Sequence, residues 1–264
     1  MKRIPFAILV FLSFLLGCKE RSKTAYGKES AKEIGEKILF VVSNAHFYGD
    51  TDLSTSNHFS EIVHAYAVFQ QAGFSIDFVS PKGGAIPIGY INTSDSLQKQ
   101  FLYDNNFMDA LEHTYPPETI DAQHYKAVYY GGGGAAMFGV PENGAIQKIV
   151  IELYEDHGGI VSAICHGTAG IANLKTRNGD YLVEGKKVNG FPDLFENEEA
   201  AYYKTFPFSI QQLISERGGD FQFSTTGWDG FHKVDGRLIT GQDPTSAAVV
   251  AEMVVKGIAE LNIQ

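Results

Sequence analysis

The stretch Gly159-Ile160-Val161-Ser162-Ala163-Ile164-Cys165-His166-Gly167-Thr168-Ala169-Gly170 decides how this chain folds. Its first half is an unbroken small and apolar run, the pattern of a strand buried on both faces of a parallel sheet. The run stops at Cys165, and small residues follow where a helix would begin. A strand that passes into a helix through one reactive side chain is a nucleophile elbow, a turn so sharp that Gly167 and the alanines must keep it free of bulk. The helix aims its N-terminal N–H groups and positive dipole end at the sulfur, so the expected state of Cys165 is a thiolate.

Reading outward, strands and helices alternate. Ile38 to Val42 is a continuous apolar strand, and Phe59, Ile62, Val63, Tyr66 and Ala67 recur at helical spacing until Gly73 closes that helix. Ser75 to Val79 and Lys126 to Tyr130 read as further strands, Gly144 to Asp156 as a helix, and Ser246 to Leu261 as the last helix. Tyr181 to Asn189 reads as a hairpin turning at Glu184-Gly185-Lys186, Phe208 to Glu216 as a helix and Phe221 to Thr225 as a strand. Lys233 to Ile239 contains a turn at Asp235-Gly236. Between Ala85 and His124 lies an irregular insertion, with one helix expected over Ser96 to Leu111. This order specifies an α/β fold: a flavodoxin-like three-layer sandwich with a mostly parallel sheet, carrying the elbow and a small insertion.

The 264 residues suffice for one such domain, expected over 38–264. The composition is 44% apolar and 20% charged with 28 glycines, which excludes a disordered or collagen-like chain. A net charge of −10 offers nothing to a phosphate backbone, so nucleic acid is not an expected partner.

The N-terminus is read apart from the fold. Lys2 and Arg3 precede an apolar run from Ile4 to Leu16, the length of a signal-peptide core and short for a membrane span. Leu15-Leu16-Gly17-Cys18 resembles the bacterial lipobox, which implies a signal peptide over 1–17, lipidation of Cys18 and anchorage in the cell envelope. Lys19 stands at the position of the retention Asp, a resemblance that favours sorting to the outer membrane. Polar residues over 18–37 then read as a tether. The chain has only two cysteines, so a lipidated Cys18 leaves Cys165 without a disulfide partner. A lone thiol in an oxidising compartment implies a task for it.

Ala163-Ile164-Cys165-His166-Gly167 resembles the elbow of the PfpI-like superfamily, relatives of the class I glutamine amidotransferases. The resemblance is nearest to the heat-shock protein 31 and glyoxalase III branch. It extends over roughly Ile38 to Leu261 and includes Gly73 to Ser80, Glu184-Gly185-Lys186, Asp235 to Gly241 and Asp243 to Ala247. What it implies for the site is a triad of Cys165, His166 and an acid. The acid lies in Gly190-Phe191-Pro192-Asp193-Leu194-Phe195-Glu196, where Glu196 aligns best and Asp193 is the alternative. It also implies a carboxyl on the first helix that contacts the sulfur, which falls on Glu61. A carboxyl beside the apolar stripe of that helix would carry a raised pKa and serve as a proton shuttle. The glycine run Gly131-Gly132-Gly133-Gly134 resembles the oxyanion loop, with Gly132 and Gly133 as substrate-binding residues. The backbone N–H groups of Gly133 and His166 would receive charge developing on a carbonyl oxygen. The branch commonly has Gly-His-Gly here, and this chain departs from it with Gly133-Gly134-Ala135, so no histidine positions substrate from this loop.

His58, Glu61 and His64 fan too widely over a helix to converge on a metal, and the glycine run lacks the Lys-Ser/Thr of a nucleotide-binding loop. No metal or cofactor is therefore expected. The resemblance implies a glutathione-independent glyoxalase acting on small reactive carbonyls, methylglyoxal to lactate, through Cys165. An amidase, peptidase or deglycase with the same triad, or a holding chaperone of the envelope, are the alternatives. The insertion is expected to build part of the pocket, and relatives imply a possible homodimer.

Overall fold

The computed structural model describes residues 36–263. The signal peptide, Cys18 and all but the end of the expected tether lie outside them. The first strand, β1 (Lys37–Val41), begins one residue before the expected start. Lys37 is drawn into the ladder by pairing with Asp77 on the neighbouring strand at 3.0 Å.

One six-stranded sheet organises the chain. Beside β1 it holds β2 (Ser75–Val79), β3 (Tyr125–Tyr130), β4 (Ile160–Ile164), β5 (His232–Asp235) and β6 (Leu238–Gly241). Their spatial order is β2-β1-β3-β4-β6-β5. All neighbours run parallel except β5 and β6, which form an antiparallel hairpin across Asp235-Gly236. Because strand side chains alternate, Leu39 and Val41 enter one apolar cluster while Ile38 and Phe40 enter the other. Both faces are covered, which is why β1 reads as a continuous apolar run.

The face of Ile38 and Phe40 is covered by α1 (Phe59–Gln71) and α7 (Ala247–Leu261), with α2 (Ser96–Leu102) and α3 (Asn105–Glu112) beyond α1. On the other face lie α4 (Gly144–Asp156), α5 (Ala169–Ala172) and α6 (Ile210–Glu216). The three-layer α/β sandwich expected from the sequence is the fold observed. Two local expectations are corrected. The single helix over Ser96 to Leu111 is two helices, because Asp95 and Asp104 each cap the start of one, accepting from Leu97 and Gln98 and from Asn106 and Phe107. The hairpin over Tyr181 to Asn189 is absent: the turn at Gly185 forms, but Lys187–Val188 pairs in parallel with Asp220–Phe221. The strand expected to run on to Thr225 ends at Phe221, and the Ser224 N–H bonds the Gln242 side chain at 2.7 Å.

The first β–α connection leads from β1 outward to β2, and the next strand, β3, lies on the opposite side of β1. In open α/β sheets such a reversal opens a crevice beyond the strands' C-terminal ends. The loops after β3 and β4 carry the glycine run and Cys165 to that edge.

Candidate active site

Cys165 follows the last residue of β4 and adopts φ 53°, a left-handed conformation that a side chain with Cβ rarely takes. The turn fits because Gly167 lies against the backbone carbonyls of Tyr130 and Gly131, the latter 2.8 Å from where a Cβ would stand. This is the elbow the sequence pattern describes. The expected ionisation state, however, is corrected. The turn from Cys165 to Thr168 is 3₁₀, and α5 behind it has only four residues, so little helix dipole reaches the sulfur. Burial, and then the Glu61 carboxylate, push the Cys165 thiol well above its ordinary value, against a weaker opposing bond from the His166 N–H. The resting group is a thiol.

Two side chains flank it. His166 places Nδ1 3.3 Å from the Cys165 sulfur and Nε2 2.8 Å from Glu196 Oε1. A carboxylate accepts only, so Nε2 carries the ring hydrogen and Nδ1 is left as the acceptor for the thiol proton. The Glu196 side chain is 6% exposed, which separates it from the solvated Glu198 and Glu199 that follow. Asp193, the alternative acid, is turned away and accepts two bonds from the Ser209 hydroxyl at 2.7 and 2.8 Å. It is not part of the cluster.

Glu61 projects from the first turn of α1 and is fully buried. Its Oε2 accepts from the Gly132 N–H at 2.8 Å, while Oε1 has no partner. Burial pushes the carboxyl up to about 8, against opposing hydrogen bonds from Gly132 and Cys165. Gly132 therefore has a different place from the one expected. Its N–H holds Glu61 and is not free for substrate, and a Cβ there would stand 2.6 Å from Oε2 and 3.0 Å from the Cys165 Cβ. Gly133, at φ 93°, does line the cavity in front of the sulfur. The histidine missing after Gly133 also has a physical explanation. A Cβ at Gly134 would collide with the Tyr48 hydroxyl and stand 2.6 Å from Thr55 Oγ1, so those two side chains occupy the room an imidazole would need.

The cavity measures about 310 Å³ and opens over Cys165 and His166. Its walls were not foreseen: Tyr48, Tyr90, Phe191, Phe206 and Trp228 line it, and of these only Tyr90 belongs to the insertion expected to contribute. His58 also lines it, with its ring 4.6 Å from that of Tyr90 and nearly parallel. Burial, then the neighbouring His166 and His64, lower His58 to about 4, so it is neutral near pH 7. His64 instead pairs with Asp95 at 3.1 Å, so the three-residue pattern on α1 is divided between two environments. Three non-glycine residues among those described have left-handed φ: Tyr90, Cys165 and Trp228. All three line this one cavity, and strain that clusters so is a mark of a functional site. Asp243, inside the Asp-Pro-Thr-Ser run noted above, anchors one of them by accepting from the Trp228 N–H at 2.8 Å.

A parallel-sheet sandwich with a buried cysteine at the elbow, a histidine next to it and two carboxyls in reach defines a class of cysteine-centred α/β proteins. Within it, residues 55–257 match the DJ-1/PfpI family, and the chain belongs to that family. Glyoxalase 3 of Candida albicans is 30% identical over 83% of this chain and 97% of its own length. A glutathione-independent glyoxalase of Saccharomyces cerevisiae is 30% identical over 80% and 93%. Among solved structures, glyoxalase III of Candida albicans superposes with a TM-score of 0.76 at 29% identity, covering 84% of this chain and 97% of that one. A Francisella tularensis rapid encystment protein superposes at 0.78 with 28% identity, over 84% and 99%.

Proposed function

We propose that the protein is a glutathione-independent glyoxalase that converts a 2-oxoaldehyde such as methylglyoxal into the 2-hydroxy acid, with Cys165 as the thiol that other glyoxalases borrow from glutathione. The observation that supports it most is the sulfur's position, 3.3 Å from His166 Nδ1 and in hydrogen-bond contact with the buried Glu61 carboxyl, which is raised to about 8.

As the sulfur attacks the aldehyde carbon, His166 Nδ1 takes the thiol proton and the carbonyl oxygen gains negative charge. The Gly133 and His166 N–H groups would receive that charge before the proton is returned to it. Glu196 holds the imidazole in the tautomer this requires and stabilises it once protonated. The hemithioacetal must then lose its C1 hydrogen as a proton and gain one at C2. Glu61, raised to about 8, is a far stronger base than an ordinary carboxylate and remains a ready acid near neutrality, the balance a two-way shuttle needs. The product is a thioester on Cys165, which water hydrolyses to the hydroxy acid and the free thiol. No external oxidant is required, because C1 is oxidised as C2 is reduced.

The test is purified protein with methylglyoxal and no added thiol, followed by proton NMR. Lactate formed by the wild type and not by Cys165→Ala supports the proposal; equal rates for the two proteins refute it. The lipid anchor on Cys18 and residence in the envelope are a separate proposal, supported by the order of basic residues, apolar run and Gly17-Cys18.

A further inference from the structure

The cavity is built for more than a three-carbon aldehyde. At about 310 Å³ it falls at the lower edge of pockets that enclose drug-sized ligands, roughly 300–1,000 Å³. A continuous series of ring contacts leads out of it. Phe191 stacks on His166 at 4.8 Å, Trp228 meets Phe191 edge-on at 6.5 Å, and Phe195 packs on Trp228 at 5.2 Å. Tyr90, from the insertion, lines the same cavity, stacked on His58. Tyr90 and Trp228 are 52% and 57% exposed, an unusual state for large aromatic rings, and each is held there by left-handed backbone. The fold maintains the arrangement around Trp228: its N–H is tied to Asp243, and Gly227 lies so close to the Phe195 ring that a Cβ would stand 2.7 Å from it.

Charge points the same way. No Lys or Arg is among the described residues lining the cavity. A substrate bearing a phosphate or a second carboxylate finds no partner, whereas a flat apolar group finds an aromatic wall to pack against.

We propose that the preferred substrates are aryl-substituted 2-oxoaldehydes, with the ring packed against the wall formed by Phe191, Phe195 and Trp228 and the aldehyde carbon at the Cys165 sulfur. This rests on the glyoxalase reading above and names its substrate class. Phenylglyoxal is the simplest member. The Cys165 thiol adds to its aldehyde carbon, the C1 hydrogen moves to C2 as a proton, and hydrolysis of the resulting thioester gives mandelate and restores the thiol. One water is consumed and no redox partner is needed.

The experiment compares kcat/KM for phenylglyoxal and methylglyoxal in wild type, Trp228→Ala and Cys165→Ala. The wild type is expected to favour phenylglyoxal by about tenfold or more, and Trp228→Ala to lose about tenfold on phenylglyoxal, the worth of one ring contact. Trp228 is the chain's single tryptophan, so its emission reports binding without turnover. In Cys165→Ala it is expected to change saturably with phenylglyoxal and not with methylglyoxal. Methylglyoxal used as well as or better than phenylglyoxal overturns the inference and leaves the glyoxalase reading intact. An emission that ignores phenylglyoxal overturns the proposed seat of the ring. Turnover of neither aldehyde above the Cys165→Ala level removes both.

Discussion

Replacing Glu61 by Gln should make the protein more stable near neutrality while disabling it. The buried carboxyl is raised from 4.5 to about 8, so across that interval the unfolded chain has released a proton that the folded chain still holds. A raised carboxyl contributes no penalty below about pH 4.5, and the folded state loses stability progressively as pH climbs toward 8. At about 1.4 kcal/mol per pH unit, the loss reaches about 3 kcal/mol by pH 7 and about 4 kcal/mol by pH 8, where the folded group is itself half ionised. The Gln amide is nearly isosteric, its carbonyl keeps the Gly132 bond, and it does not titrate. Urea denaturation of both proteins from pH 4.5 to 8 isolates this one group, because the lowered His58 is present in each. The expected difference is near zero at pH 4.5 and about 3 kcal/mol in favour of the variant at pH 7. A difference that stays flat, or that grows in favour of wild type with rising pH, would mean that Glu61 is not the high-pKa group described.

Four further outcomes follow from the geometry. In the pH profile of kcat/KM, activity should rise to a limb near 8 as Glu61 ionises, and Glu61→Gln should lack that limb. Removing the Glu61 carboxylate also removes its repulsion of the sulfur, so alkylation of Cys165 by iodoacetamide should begin at lower pH in Glu61→Gln than in wild type. Glu196→Gln deprives His166 of the acceptor that orients it and should lower kcat by about 100-fold or more, with the circular dichroism spectrum unchanged. Gly132→Ala pushes a methyl group against Glu61 and should cost about 1–3 kcal/mol of stability by denaturant titration as well as activity. For the N-terminus, cells fed labelled palmitate should label wild type but not Cys18→Ser.

The layers of the fold and the elbow were legible because they depend on local pattern. A short continuous apolar run is the pattern of a strand covered on both faces, and Ile160 to Ile164 ends on a cysteine followed by residues too small to obstruct a turn. Glu61 was legible for a similar reason, as a carboxyl beside a buried stripe. Sequence pattern left Glu196 and Asp193 open, since both stand on one loop; what separates them is a Ser209 hydroxyl sixteen residues away from Asp193. The sulfur's ionisation was misjudged because pattern shows where a helix starts but not that it stops after four residues, nor that burial outweighs its dipole. The aromatic wall was invisible for a different reason. Tyr48, Tyr90, Phe191, Phe206 and Trp228 come from four separate connections, and no periodicity links residues that only tertiary folding assembles. The chain's single tryptophan, placed between Gly227 and Asp229, was the one available sign.

The central claim is that the Cys165 sulfur bonds to the aldehyde carbon, and intact-mass spectrometry of a quenched reaction tests it most directly. Glu61→Gln mixed with methylglyoxal and quenched in acid should carry one added methylglyoxal, located on the peptide containing Cys165 and absent from Cys165→Ala. An unmodified Cys165 peptide in Glu61→Gln, under conditions in which the wild type consumes the aldehyde, would contradict the account.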